Sequence, residues 1–326
     1  MQRRYSFFAL ASVLATYLVI FAGSLVRASG AGMGCPDWPR CFDRWIPPTE
    51  ISQVPPQFAQ WFSVQLAWIE YLNRLVGAVL GVLVLGAVVT AVLAHRKQAR
   101  VLYPTIAGFF FVGLAGWLGK RVVEQNLDPA FVTVHMFVAL AVVASLLYAV
   151  VNARLPLDPS VVPSIERGSM RMGSVALAAV IVIQIALGTR VRALIEHVAF
   201  GPQAPLSSGH ARPAVAQLAR GEWLSRVGSM DGIHRTMALV VVAGAIALAI
   251  YVRRTERDRV LRVLSLTIAG LCVSQLLAGV GLAYLALPPV LQVFHVTVGC
   301  LIFGAILVFS WLTVRIEERD EPVASE

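Results

Sequence analysis

Three of the six histidines, His135, His234 and His295, each stand near the start of a long apolar run. An ionisable ring inside hydrocarbon is costly, so it is expected to face a bundle interior as a ligand, a proton relay or a neutral group bonded to the next helix. Counted inward to the first basic residue, His135 to Arg154 and His234 to Arg253 are 19 residues apart, and His295 to Arg315 is 20. At 1.5 Å per residue this is about 28–30 Å, one hydrocarbon thickness. The three rings thus share one depth near the outer boundary. Asn73 is 23 residues from Arg96, a difference that a tilted helix absorbs. Two histidines at matched depth in one bundle can bind a metal from opposite sides, and an apolar slot between helices suits a flat macrocycle such as haem. No Cys-x-x-Cys-His motif occurs, so such a haem is held non-covalently.

Four arginines, Arg27, Arg74, Arg192 and Arg235, fall near the same depth. Guanidinium pairs bidentately with carboxylates, and haem carries two propionates. Snorkelling to lipid headgroups is the alternative for each arginine taken singly. The second half offers a symmetrical His234/His295 pair that saturates an iron and makes an electron-transfer haem. The first half offers His135 opposite Asn73, a poor iron ligand, which leaves one axial position open for substrate chemistry. Glu70 shares a helix face with Asn73 and Arg74. It is read either as the partner of Arg74 or as a general acid/base beside the open site. Asp231 stands in the same relation to His234 and Arg235, where pairing or helix-dipole stabilisation is the simpler reading.

The elements that hold these residues follow from composition. With 58% hydrophobic and 14% charged residues in 326, the chain is an integral membrane protein. Eight apolar stretches are long enough to cross a bilayer, at about 5–26, 66–94, 101–118, 130–151, 172–189, 232–252, 263–285 and 290–314. The fold class is therefore all-α and polytopic. The basic start and apolar centre of the first stretch resemble a signal peptide, but its length and its later counterpart favour a retained helix. With the amino terminus inside, 15 of the 27 basic residues lie on the inner side, mostly in short loops. Both termini are then cytoplasmic, with the histidines near the outer face. The net charge of +9 is spread over membrane loops, so it gives no reason to invoke nucleic acid.

The halves also resemble each other. GSLVR at 23–27 matches GTRVR at 188–192, EYLNR at 70–74 matches DGIHR at 231–235, LAG at 114–116 recurs at 277–279, and His135 pairs with His295. The offsets are 165, 161, 163 and 160, in unbroken order. Two parallel four-helix bundles, 1–155 and 156–326, are expected from duplication, with a redox haem in the second and a reactive site in the first.

The first outer loop reads ASGAGMGCPDWPRCFDRWIPP. Cys35 and Cys41 can close a small disulfide there, as a structural staple or in a redox role. Cys272 and Cys300 read as buried apolar residues, and His95, His197 and His210 as solvated. The segment from about 194 to 228 is expected to cover the second bundle.

On these residues the chain resembles the haem A synthase family. GSLVR, SGAGMGCPDWPRC at 29–41, WIPP at 45–48, EYLNR, and histidines opening the fourth, sixth and eighth spans carry the likeness. The resemblance implies an enzyme of the bacterial cytoplasmic membrane that oxidises a ring methyl of haem O to a formyl group, giving haem A for terminal oxidase biogenesis. It implies a b-type haem on His234 and His295, haem O near His135 and Glu70, and partnership with haem O synthase and oxidase assembly. Asn73 stands where the family has histidine, so His135 is expected as the only histidine ligand in the first half. The family's second cysteine pair has no counterpart in 194–228. The rival readings are a non-catalytic dihaem cytochrome and a haem carrier or assembly factor.

Overall fold

The computed structural model describes residues 1–60, 62–155, 165–200, 228–285 and 287–314. The described residues hold eight helices long and apolar enough to cross a membrane. They are α1 Gln2–Ser29, α2 Val64–His95, α3 Ala99–Glu124, α4 Pro129–Arg154, α5 Ile165–Phe200, α6 Ser229–Thr255, α7 Arg259–Tyr284 and α8 Pro289–Leu312. All eight expected spans are present, in an all-α multi-pass membrane protein. Arg315, Arg319, His210 and most of the 194–228 segment lie outside the described residues.

Local chemistry sets the helix ends. The Asp128 carboxylate accepts the Ala130 N–H at 2.8 Å ahead of Pro129 in α4, and Asp258 accepts the Val260 and Leu261 N–H groups at 2.7 and 3.0 Å ahead of α7. Each satisfies amides that have no partner within the helix. The last turn of α1 closes on Gly30 at φ 73°, a left-handed cap that glycine adopts without a Cβ clash. Helix α5 runs past the apolar stretch at 172–189 to Phe200. Hydropathy ends at Arg190, but RVRALIEH contains no glycine or proline, so the helix continues after its apolar character stops.

Neighbouring helices pack in two rings. α1, α2, α3 and α4 pack in sequence and close through α1 against α4, while α5, α6, α7 and α8 close through α8 against α5. The rings meet where α8 packs on α1 and α4, with a smaller contact of α4 on α5. Half of the spanning window of α8 is buried, 50% against at most 33% in any other helix, so α8 is the axis of the molecule. Small residues allow the close approach: a Cβ on Gly86 of α2 would come 2.7 Å from the Phe8 ring of α1, and one on Gly108 of α3 would come 2.7 Å from Leu146 of α4. Large apolar side chains such as Phe7, Leu14, Val82, Phe110 and Leu239 point outward, as a hydrocarbon solvent permits. At the end that carries the amino terminus, Arg167 bonds Glu256 through Nε at 2.9 Å and Nη2 at 3.4 Å, tying α5 to the α6–α7 turn. Burial alone would raise the Glu256 pKa, but the Arg167 bond and the Asp258 N–H hold it below the usual carboxylate range. Cys272 and Cys300 are buried at 2% exposure each, as small apolar residues should be.

Candidate functional site

Each of the four even-numbered helices carries one polar side chain laid over a glycine of the helix before it. A Cβ on Gly188 of α5 would come 3.2 Å from His234 Cε1, one on Gly279 of α7 would come 3.3 Å from His295 Cε1, and one on Gly119 of α3 would come 3.7 Å from His135 Cε1. In the fourth position a Cβ on Gly23 of α1 would come 3.8 Å from Asn73 Oδ1. The missing side chains are what let the rings approach the neighbouring backbone this closely. The carbonyls of Ala115, Gln184 and Gln275, each one helical turn before the facing glycine, lie beside the rings of His135, His234 and His295.

Nδ1 of His135, His234 and His295 is buried and has no hydrogen-bond partner, and Asn73 Oδ1 is in the same condition. No Nε2 of these rings is among the buried atoms that lack a partner. Buried polar atoms without partners are rare and need an explanation. A ring whose Nδ1 turns to a backbone carbonyl presents Nε2 as the lone-pair donor, the arrangement that metal-ligating histidines adopt.

α6 and α8 sit diagonally in their ring, as do α2 and α4 in the other. His234 and His295 nevertheless lie close enough for their charges to interact. Two imidazoles across the open diagonal of a four-helix ring are a donor set that can hold a haem iron. His135 stands on the matching diagonal of the first ring, with Asn73 as the α2 residue at that position.

Two residues of this site carry no signal in the sequence pattern of histidines and arginines. Gln184 Nε2 donates to the His234 main-chain carbonyl at 3.0 Å, and Gln275 Nε2 donates to the His295 carbonyl at 2.8 Å. Their signal is a Gln-x-x-x-Gly spacing in α5 and α7, QIALG at 184–188 and QLLAG at 275–279.

The end of the first ring opposite the amino terminus is closed by the loop between α1 and α2. Cys35 and Cys41 form a disulfide, and both are fully buried. Glu70, 3% exposed, accepts the Cys35 N–H on Oε2 at 2.9 Å and pairs through Oε1 with Arg74 Nη2 at 2.5 Å. Arg74 also donates from Nη1 to the carbonyls of Asp37 at 2.7 Å and Arg40 at 2.8 Å, and from Nη2 to that of Cys35 at 3.2 Å. The Asp37 carboxylate in turn accepts the N–H groups of Phe42 at 2.6 Å and Asp43 at 2.9 Å, where the chain turns through φ 54° and 59°. A Cβ on Gly34 would come 2.6 Å from the Leu66 backbone, so only glycine lets the loop lie against α2 at that point. Both terminal nitrogens of Arg74 are thus committed to the loop and to Glu70. These bonds make Arg74 an anchor that holds the disulfide loop down.

The other arginines differ. Arg235 pairs with Asp231 at 2.8 Å and lies 5.9 Å from the Tyr284 ring centre, yet its Nη2 is buried without a partner among the described residues. Arg192 donates to Gln292 Oε1 at 2.8 Å. Arg27 sits half-buried in the last turn of α1. His95 is buried rather than solvated, with Nδ1 2.8 Å from Gln98 Oε1, and lies with Tyr5 at the opposite end of the first ring.

Residues 6–307 match the COX15-CtaA family, described as cytochrome oxidase assembly protein. Among curated relatives, the chain is 29% identical over 150 residues to a Heme A synthase of Geobacillus kaustophilus, covering 45% of this chain and 43% of that protein. It is 27% identical over 150 residues to a Heme A synthase of Bacillus cereus, 46% and 44% of the two chains. It is 24% identical over 311 residues to a Heme A synthase of Shewanella oneidensis, 86% and 88% of the two. The match thus spans under half the length of the Geobacillus and Bacillus relatives.

Proposed function

The chain belongs to the COX15-CtaA family, and from that premise we propose that it is a haem A synthase, oxidising a ring methyl of haem O to a formyl group. Taken with water as the oxygen donor, the conversion R–CH3 + H2O → R–CHO + 4 H+ + 4 e− passes its electrons to an external one- or two-electron oxidant and proceeds through an alcohol and a hydrated aldehyde that loses water. The observation that carries this reading is the unequal pair of diagonals, two histidines across one ring and one histidine with an asparagine across the other.

A resident haem held by His234 and His295 would supply reversible one-electron transfer, with no coordination position left for substrate. The remaining work falls to the chain's own groups. His135 holds the substrate's iron from one side through Nε2, while Asn73 leaves the other side weakly served. Arg27, Arg192 and Arg235 place positive charge where porphyrin carboxylates emerge, and the enclosed unpartnered Nη2 of Arg235 is the strongest single reason to put a carboxylate there. Glu70 is the carboxylate on the α2 face that bears Asn73. It takes up protons released from the substrate carbon, with the Arg74 guanidinium paired to one of its oxygens. The disulfide loop that Glu70 and Arg74 hold in place excludes water from the end of the site.

We place the protein in a bacterial cytoplasmic membrane with both termini inside and both porphyrins near the outer face. Haem O synthase and the oxidase assembly pathway are its natural donor and recipient. The two halves, 1–155 and 156–326, are read as duplicated units. The test is to co-express the protein with a source of haem O, extract the haems and measure their masses. A formyl-bearing haem is expected. Unchanged haem O bound to the purified protein would support a carrier, and b-type haem alone a dihaem cytochrome.

A further inference from the structure

The second ring grips its histidines in a way the first does not. One glutamine serves each ligand: its side-chain amide holds the main-chain carbonyl of His234 at 3.0 Å or of His295 at 2.8 Å, and its own carbonyl lies beside the same imidazole. The pattern of atoms left over is also matched. Gln184 Oε1 and Gln275 Oε1 are buried acceptors without a donor, and His234 Nδ1 and His295 Nδ1 are buried nitrogens without an acceptor. The acceptor that the same glutamine sets beside the ring is its main-chain carbonyl, and an N–H turned to a carbonyl in this way leaves the Nε2 lone pair for a metal. Room for the amide comes from Gly299, one turn after His295, where a Cβ would lie 3.3 Å from Gln275 Nε2.

In the first ring the residue one turn before the facing glycine is Ala115 on α3 and Val19 on α1. His135 has the neighbouring carbonyl of Ala115 but no amide that can reach its main chain. Among the described residues, no side-chain amide of α3 bonds the His135 main chain as Gln275 bonds that of His295.

We propose that Gln184 and Gln275 are positioning residues that make the His234/His295 centre permanent, and that alanine at 115 and valine at 19 leave the first-ring centre able to exchange its porphyrin. The division suits the two jobs. A redox group must stay, whereas a substrate must arrive and its product must leave. The inference rests on the reading that both rings bind porphyrin. Its new content is the residue-level cause of the difference.

The test is haem loss from the purified, full-length protein to an excess of an apo-globin, followed optically, together with the low-spin spectrum of the bound b-type haem. Gln184→Leu and Gln275→Leu remove the donor at similar volume. Interhelical hydrogen bonds in membranes translate into roughly 3- to 20-fold effects each, so each variant is expected to lose b-type haem about 3- to 20-fold faster, with a shifted low-spin signal. Gln275→Asn keeps an amide but shortens its reach, and should behave like Gln275→Leu. Ala115→Gln installs the grip in the first ring and should slow release of haem O by a similar factor. Wild-type rates of loss and an unchanged spectrum in both leucine variants would overturn the proposal, as would wild-type behaviour of Gln275→Asn. Should Ala115→Gln fail to fold, the asparagine and leucine variants still decide it. Wild-type protein that binds no haem would defeat the functional reading itself, which separates that failure from this one.

Discussion

Replacing Arg74 with glutamine should release the disulfide loop. The guanidinium makes four bonds, to the carbonyls of Asp37, Arg40 and Cys35 and to the Glu70 carboxylate. Its removal leaves the Glu70 carboxyl group, 3% exposed, without its guanidinium partner. Breaking a buried pair from one side costs about 3–5 kcal/mol. The Arg74 side chain is 13% exposed and the loop adjoins water, so about 2–3 kcal/mol is the better figure here. At about 1.4 kcal/mol per decade that raises the open population of the loop roughly 30- to 150-fold. Both cysteines are fully buried, so a soluble reductant reaches the disulfide only when the loop opens. The assay is the rate of Cys35–Cys41 reduction by a small phosphine in protein reconstituted into nanodiscs, with the double variant Glu70→Gln/Arg74→Gln as control. The single variant should accelerate by the factor given. The double variant should do so less, because no carboxyl group is left behind without its partner. A single-variant rate within about twofold of wild type would refute the anchor.

Three further outcomes follow from particular contacts. Glu70→Gln keeps an oxygen for the Cys35 N–H but loses the charge, so it should abolish haem A formation while leaving bound b-type haem intact; full activity would remove Glu70 from proton handling. Gly188→Ala places a Cβ 3.2 Å from His234 Cε1 and should displace the ring enough to alter the low-spin spectrum. Alanine also favours a helix by up to about 1 kcal/mol over glycine, so the variant should melt no lower than wild type, and Gly81→Ala, with nothing within 4 Å, should leave the spectrum untouched. Glu256 has its pKa lowered from 4.5 by Arg167 and backbone amides against the opposing effect of burial. Its stabilising contribution is therefore fully present above that ordinary value and is lost as pH falls through the lowered one. The thermal midpoint of wild type should exceed that of Glu256→Gln near pH 7, and the gap should close below about pH 4.5.

Much of this architecture was legible because the bilayer imposes it. Each spanning segment must be helical and about 20 residues long, so eight apolar stretches sufficed to place eight helices. A shared depth for His135, His234 and His295 is proposed on the same ground, since an inner arginine marks one boundary and the helical rise gives the distance. Pairing inside the site was harder to read. Arg74 and Arg235 occupy matching places in the sequence, yet Arg74 is consumed by loop carbonyls while Arg235 keeps an unpartnered nitrogen. That difference depends on how the 30–44 loop folds, and short-range sequence pattern does not encode it. Gln184 and Gln275 were hidden because a glutamine in an apolar helix has no fixed partner type. Only the packing of α5 on α6 and of α7 on α8 brings each amide to a histidine carbonyl. His95, in a flanking position that suggests solvent, is buried by Tyr5, a residue 90 positions away in sequence.

The central claim is that one ring holds a ligand-saturated iron and the other an iron served by a single histidine. Electron paramagnetic resonance of the purified protein, loaded with haem O and compared with His135→Ala and His295→Ala, tests it directly. The account predicts a low-spin signal that disappears in His295→Ala and a separate high-spin signal that disappears in His135→Ala. A single signal unaffected by His135→Ala, or two low-spin signals of equal intensity, would contradict it.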